Sequence, residues 1–328
     1  MLALTGAAAA RIFNLQFWPV ELLWHFTETF FFLSLVLTVV LLAFSFYAPA
    51  AAAAALTVFF GLAAGNVPGG TAPHAHSVLP TAQAYAGEAQ GPAEAGFRLV
   101  THNLYVHNNR RDDLAAWLRR QDADVIVMQE VDMEMAAVMQ AAVDRYPHQF
   151  FGWPRNWVER PEQRHLLNGL AILSRFPLKD GFVFRQTRWN APVAIARLTL
   201  PEGTEVRLVV VHTMNPTRRS GLRARNALMG ALADEVKDYD GPLVVAGDFN
   251  ATPYTPAFAR FLKAADLATN RGYPGTYPQF AGAFGLPIDH VLARGVRIVD
   301  IEALDAFGSD HRPLRADLIV PVAKSAGG

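Results

Sequence analysis

The sequence predicts an α+β domain of sheets packed together with helices outside, set behind an apolar N-terminal region. Short apolar runs of strand length alternate with amphipathic helical stretches from residue 97 to about residue 320. Charge is segregated as well. Residues 1–96 hold one basic residue, Arg11, and four acidic ones, Glu21, Glu28, Glu88 and Glu94. The remainder carries 28 Lys+Arg against 25 Asp+Glu, about +3, so a bulk electrostatic grip on nucleic acid is not indicated. There is no cysteine, which excludes a disulfide framework and thiolate metal sites and is compatible with an oxidising compartment.

Residues 1–64 read as a membrane anchor. Residues 30–47 (FFFLSLVLTVVLLAFSFY) are uncharged and apolar. At ~1.5 Å per residue they cover most of a ~30 Å hydrocarbon core. A second run, 51–64, is shorter and Ala-rich, so it is the weaker span. Phe17, Trp18, Trp24 and Phe26 precede the first run, as an interfacial aromatic belt would. A cleaved signal peptide fits poorly, because the apolar run starts late and Arg11 alone would form its basic region. A buried core helix would show a polar stripe, and 30–44 show almost none. With one span, the position of Arg11 puts the N-terminus in the cytoplasm and the linker and domain outside. With two spans, the N-terminus and the domain share a side. Residues 65–96, rich in Gly, Ala and Pro, read as a flexible linker. Its His74 and His76 are ordinary linker polarity before they are metal ligands.

From residue 97 the elements come in order. FRLVTHNLY is a strand with a polar end, 110–120 an amphipathic helix, DVIVMQE (124–130) a buried strand and 132–143 a helix. GLAILSR (169–175), VAIARLTL (193–200) and EVRLVVVH (205–212) are strands. Residues 220–238 form a long helix. PLVVAGDFN (242–250), IDHVLA (288–293) and 314–320 complete the set, leaving 321–328 as a tail.

Acids, amides and histidines recur where apolar strands stop: Asn103, Glu130, His212, Asp248, Asn250, Asp289, Asp310 and His311. Singly, each has a plainer reading. An Asp or Asn after a strand is usually a turn residue or helix cap, and Glu130 could cap the helix after it. The whole set in one chain points instead to a convergent site. Carboxylate and amide oxygens suit Mg²⁺ or Mn²⁺, which bind one or two carboxylates plus substrate phosphate. Phosphoryl transfer needs a metal, a base for water and donors to the equatorial oxygens. Glu130 can hold the metal. Asp289, Asp310 and His311 can supply a carboxylate–histidine pair, and Asn103, Asn250 and His212 can donate to phosphate.

At these residues the chain resembles the endonuclease/exonuclease/phosphatase superfamily, whose motifs QE, GDFN, IDHV and SDHRP stand here in the family's order over 97–320. The resemblance implies a DNase I-like four-layer α/β/β/α sandwich and a Mg²⁺-dependent phosphatase, phosphodiesterase or nuclease. It implies metal binding by Glu130, Asn103 and Asp310, and catalytic roles for His212, Asp248, Asn250, Asp289 and His311. Asn168 in NGLAILSR would contact phosphate. Where nucleases of this group often place a Tyr before that segment, this chain holds Trp153 and Trp157. The N-terminal spans, with GTYP (275–278) before IDHV, resemble a bacterial membrane-anchored subgroup that includes the VanJ-type glycopeptide-resistance proteins. That resemblance implies an extracytoplasmic, periplasmic domain and lipid pyrophosphate substrates.

Residues 217–225 (TRRSGLRAR) offer a phosphate-recognising lip from Arg218, Arg219, Arg223 and Arg225, or a solvated helix face in equal measure. Arg155, Arg160 and Arg164 lie among Trp153 and Trp157, positioned to stack on bases, meet a lipid interface or pack a loop. Three functions are compatible with these features: a membrane-linked phosphoesterase acting on a phosphorylated, lipid-linked or small substrate; a tethered nuclease; and a non-catalytic binding module. Near-neutral charge and the anchor favour the first. The filled catalytic positions disfavour the third.

Overall fold

Alternating burial builds two sheets that share one core. The computed structural model describes residues 1–12, 18–65, 70–71, 94–108, 110–153, 169–185, 191–270 and 273–321. His74, His76, Arg155, Trp157, Arg160, Arg164 and Asn168 lie outside them. The domain strands are β1 (Glu94–Asn103), β2 (Val125–Val131), β3 (His148–Gly152), β4 (Gly169–Ser174), β5 (Leu178–Arg185), β6 (Pro192–Thr199), β7 (Glu205–His212), β8 (Leu243–Asp248), β9 (Asp289–Arg294), β10 (Arg297–Ala303) and β11 (Leu314–Pro321). One sheet runs β10-β11-β1-β2-β4-β3 and the other β9-β8-β7-β6-β5. Leu99, Val125 and Val127 from the first meet Leu208, Val210 and Val244 from the second. Their neighbours Val100, Ile126 and Met128 face the other way, under α5 (Leu114–Arg120) and α6 (Met133–Gln140). Val209 and Val245 likewise face α7 (Arg219–Val236) and α8 (Pro256–Ala264). Central strands covered on both faces read as continuous apolar runs, which is why DVIVMQE and EVRLVVVH are legible. The result is the expected α/β/β/α sandwich.

Two boundaries differ from expectation. β1 begins at Glu94, inside the expected linker, because Ala95 and Phe97 alternate into the core and Glu94 pairs with Pro321. The expected first span, 30–47, is broken: α3 (Thr27–Ala43) stops at a turn with Ser45 at φ 61, and Tyr47 opens α4 (Tyr47–Gly65). Pro49 sits in the first turn of α4, where its missing N–H costs nothing. The segment read as the weaker span is thus the one helix among the described residues long and apolar enough to cross a membrane alone. The α3 helix passes the same test only together with α2 (Trp18–Trp24), bent 66° from it. Antiparallel contacts join the hairpin: Phe30 meets Phe60, and Thr57 Oγ1 donates to Ser34 Oγ at 3.1 Å.

The segment before the hairpin is fastened to the domain. Trp18 Nε1 donates to Pro216 O at 2.8 Å, and Arg11 Nη1 to Tyr254 O at 3.2 Å. Tyr254 Oη donates to Glu28, and the wholly buried Arg225 pairs with Glu21. Removing one member of a buried pair leaves the other charge uncompensated, at about 3–5 kcal/mol. Glu21→Ala is therefore expected to lower unfolding free energy by about that amount, measured by denaturant titration, with Glu21→Gln costing less.

Candidate active site

Strand direction decides where the polar strand ends meet. β1 runs parallel to β2, with Asn103 opposite Gln129, and β7 parallel to β8, with His212 opposite Asp248. β9 returns antiparallel, so its first residue, Asp289, also lies opposite Asp248. These ends share one edge of the sandwich. Asn103 Nδ2 spans the two sheets there, donating to Glu130 Oε1 and to Asp248 Oδ2 at 3.1 Å each.

Glu130 reaches this edge through a bulge. Register slips between Met128 and Val131, and Glu130 adopts φ 57, a left-handed conformation that costs a non-glycine residue of order 1 kcal/mol. Tyr105 and Asn250, at φ 60 and 47, are strained in the same way beside it. The capping alternative for Glu130 is ruled out, since Asp132 caps α6 by accepting from Met135 N at 2.9 Å. Glu130 Oε2 instead accepts from Val106 N at 2.8 Å, and its Oε1 stands 3.7 Å from His212 Nε2.

Asp248 sits at the centre. Oδ1 accepts from Asn250 N at 2.7 Å, the turn that its position after a strand suggests, while Oδ2 accepts from Asn250 Nδ2 at 3.2 Å. His212 Nε2 and His311 Nε2 lie 3.6 and 3.9 Å from Oδ2. His311 Nδ1 hydrogen-bonds Asp289 Oδ2 at 2.8 Å. Asp248, Asp289 and His311 each bring one ligating atom within 4.8 Å of the others, making them the compact candidate metal group among the described residues. Asp310 stands half-buried close by. Of the residues read as site residues, eight converge: Asn103, Glu130, His212, Asp248, Asn250, Asp289, Asp310 and His311. Arg218 and Arg223 are exposed, and Arg219 and Arg223 line a cavity of about 480 Å³ with Trp18 and Glu21. Arg225 is no part of a solvent-facing lip, because its guanidinium is buried against α2 and donates to Asn250 O at 2.9 Å. A cavity of about 1180 Å³ lies at the opposite end around Asp124, Arg145 and Arg175 and shares no side chain with this cluster.

Two supporting residues carry no signal in the sequence. Ser309 Oγ donates to Asn103 O at 2.7 Å and accepts from His311 N at 3.0 Å, tying the last loop to the first strand. Tyr277 packs its ring 4.9 Å from the His311 imidazole. The SDHRP and GTYP segments contain them, but a serine or tyrosine beside a motif does not stand out by itself.

The electrostatics follow from acids crowded out of water. Burial, then the nearby Asp289 charge, pushes Asp248 up to about 6. Burial pushes His311 down, but Asp289 and Asp248 outweigh it and hold the imidazolium up to about 10. Burial opposes ionisation of Asp289 too, yet His311 keeps its carboxyl below the usual range. Asp310 is raised by burial and by the Glu130 charge. His311 thus binds its proton more tightly folded than unfolded. The gain is complete below the unfolded value of about 6.5 and is lost as pH rises through about 10. In chelator, stability should fall between those values by up to about 1.4 kcal/mol per pH unit. His311→Asn should flatten that slope in a pH series of thermal melts.

The sequence model of the Endonuclease/Exonuclease/phosphatase family matches residues 100–311, which include every converging residue named above. The chain belongs to this family. Family members are phosphoester hydrolases, so the cluster stands in an enzyme scaffold. A UPF0294 protein of Vibrio cholerae is 28% identical over 223 residues, spanning 65% of this chain and 75% of that protein. The endonuclease/exonuclease/phosphatase of Beutenbergia cavernae has the same fold at a TM-score of 0.58 and 21% identity, covering 69% of this chain and 72% of its own. A mutant beta toxin of Staphylococcus aureus with bound magnesium ions aligns at a TM-score of 0.52 and 18% identity, over 68% of this chain and 99% of the toxin.

Proposed function

We propose that this family member is a membrane-anchored, Mg²⁺-dependent phosphoesterase that attacks a phosphomonoester, phosphodiester or pyrophosphate with an activated water. The observation that carries the reading is the meeting of Glu130 and Asp310 with Asp248 and the Asp289–His311 pair at one sheet edge. Glu130 and Asp310 offer the oxygen donors a hard cation takes, and Asp310, raised by burial and by the Glu130 charge, would be relieved by a positive ion. Glu130 and Asp310, with Asn103 through its amide oxygen, would hold Mg²⁺, with Mn²⁺ as a substitute. The ion would neutralise phosphate charge.

The chain's own groups supply the rest. Asp248, tuned towards neutrality and fixed by the amides of Asn103 and Asn250, takes the proton from water. His311, kept protonated by Asp289, donates to a phosphate oxygen through Nε2. His212, whose Nε2 lies 3.6 Å from the same Asp248 Oδ2, supplies a second donor. Asn168, Arg218 and Arg223 remain candidates for outlying phosphate contacts.

The anchor rests on the apolar α3–α4 hairpin, whose Phe32, Val36, Val39, Val58 and Leu62 side chains are exposed. Fastening of α1 (Leu2–Ile12) and α2 to the domain favours two passes, with both ends on one side. Resemblance to the membrane-anchored subgroup favours the extracytoplasmic face.

Purified full chain in detergent should hydrolyse at least one of three substrates with Mg²⁺: a lipid pyrophosphate or a small phosphomonoester, followed by phosphate release, or DNA, followed by strand cleavage. EDTA should abolish turnover and Mn²⁺ restore it. Turnover unaffected by EDTA would overturn the metal assignment, and DNA as the sole substrate would favour the tethered nuclease.

A further inference from the structure

The segment that leads into the membrane hairpin is held by loops at the catalytic edge. Pro216 follows β7, Asn250 and Tyr254 follow β8, and these are the groups that hold Trp18, Arg225 with Glu21, and Arg11. The anchor is therefore fastened to the loops that bear the active site. At the same edge, the loop before β9 carries two phenylalanines, Phe280 and Phe284, each 84% exposed. Among the described residues after Glu94 no other large apolar side chain is as exposed. Their display is built in. Tyr277 bridges to Leu286 at the loop's neck, and Gln279 N donates to Asp310 O at 2.7 Å. Gly275 lies where a Cβ would come within 2.7 Å of the Gly282 and Gly285 carbonyls, so the tip folds tightly against its own base. A compact loop holding two aromatic rings in water, beside a site whose loops also hold the segment before an apolar hairpin, fits a lipid surface.

Resting on the phosphoesterase reading, we infer that Phe280 and Phe284 insert into the bilayer that holds the anchor. The catalytic edge then faces the membrane, and its substrate is a phosphoester displayed at that surface.

The chain's lack of cysteine makes the test direct. Full-length Phe284→Cys and, as a control at the opposite end, Val143→Cys are labelled with an environment-sensitive fluorophore. Both are reconstituted into phosphatidylcholine–phosphatidylglycerol vesicles containing nitroxide-labelled lipid. The label at 284 should emit to the blue of its detergent-free aqueous value and be quenched several-fold more than the label at 143. Equal, water-like emission at both positions would overturn the inference, as would failure of the chain to float with vesicles. Neither readout depends on hydrolysis. Blue-shifted, quenched emission without phosphate release would leave the membrane contact standing and remove the phosphoesterase reading beneath it.

Discussion

His311→Ala should lower kcat/KM for phosphoester hydrolysis by roughly 10²–10⁴-fold, the range removed with a positioned acid or base. The side chain is held protonated by a buried carboxylate, Asp289, while its Nε2 lies 3.9 Å from Asp248 Oδ2. Alanine leaves a buried Asp289 charge without its partner, so some stability is lost as well. His311→Gln separates the two effects. It keeps a neutral donor and should restore part of the stability, yet not the charge offered to phosphate. Steady-state kinetics beside denaturant unfolding would decide it, and wild-type turnover in His311→Gln would sink the assignment.

Glu130→Gly should be equally severe for activity and mild for stability. Several kcal/mol of metal-derived stabilisation, at about 1.4 kcal/mol per tenfold, corresponds to roughly 10³-fold in turnover. Glycine adopts the left-handed conformation at this bulge without strain, recovering of order 1 kcal/mol. It also removes one carboxylate from a crowded acidic cluster. Against this stands the lost acceptor for Val106 N. Unfolding temperature should change little while Mg²⁺-dependent turnover collapses and the Mg²⁺ concentration for half-activity rises. A variant that unfolds early, or keeps its metal response, would show that the bulge serves the sheet rather than the ion.

The strands that the sequence does not reveal share a position. β3, β5 and β10 are edge strands of their sheets, each paired on one side only. An edge needs no continuous apolar run, and β5 carries Lys179, Asp180 and Gly181 where a central strand would carry valines. β9 is an edge too, but Val291, Leu292 and Ala293 are buried on both faces, and its apolar run shows.

Arg225 marks a second limit. From the chain alone it is one of four arginines near a helix start, and its neighbours Arg219 and Arg223 do remain exposed. Its burial comes from Glu21, two hundred residues earlier and on another element. No local pattern encodes such a partner, because a buried charge is explained only by the charge that neutralises it.

The sequence by itself determined the chemistry available: oxygen and imidazole groups without thiols, placed where apolar strands end, behind an uncharged apolar segment. Those are properties of composition and periodicity, and they survive without knowledge of neighbours. Tertiary structure alone decided that Glu130 and Asp248, from different sheets, share one amide of Asn103, and that the anchor is clasped to the catalytic edge. Both depend on parallel strand pairing and sheet packing, which bring together residues whose separation along the chain carries no record of their distance in space.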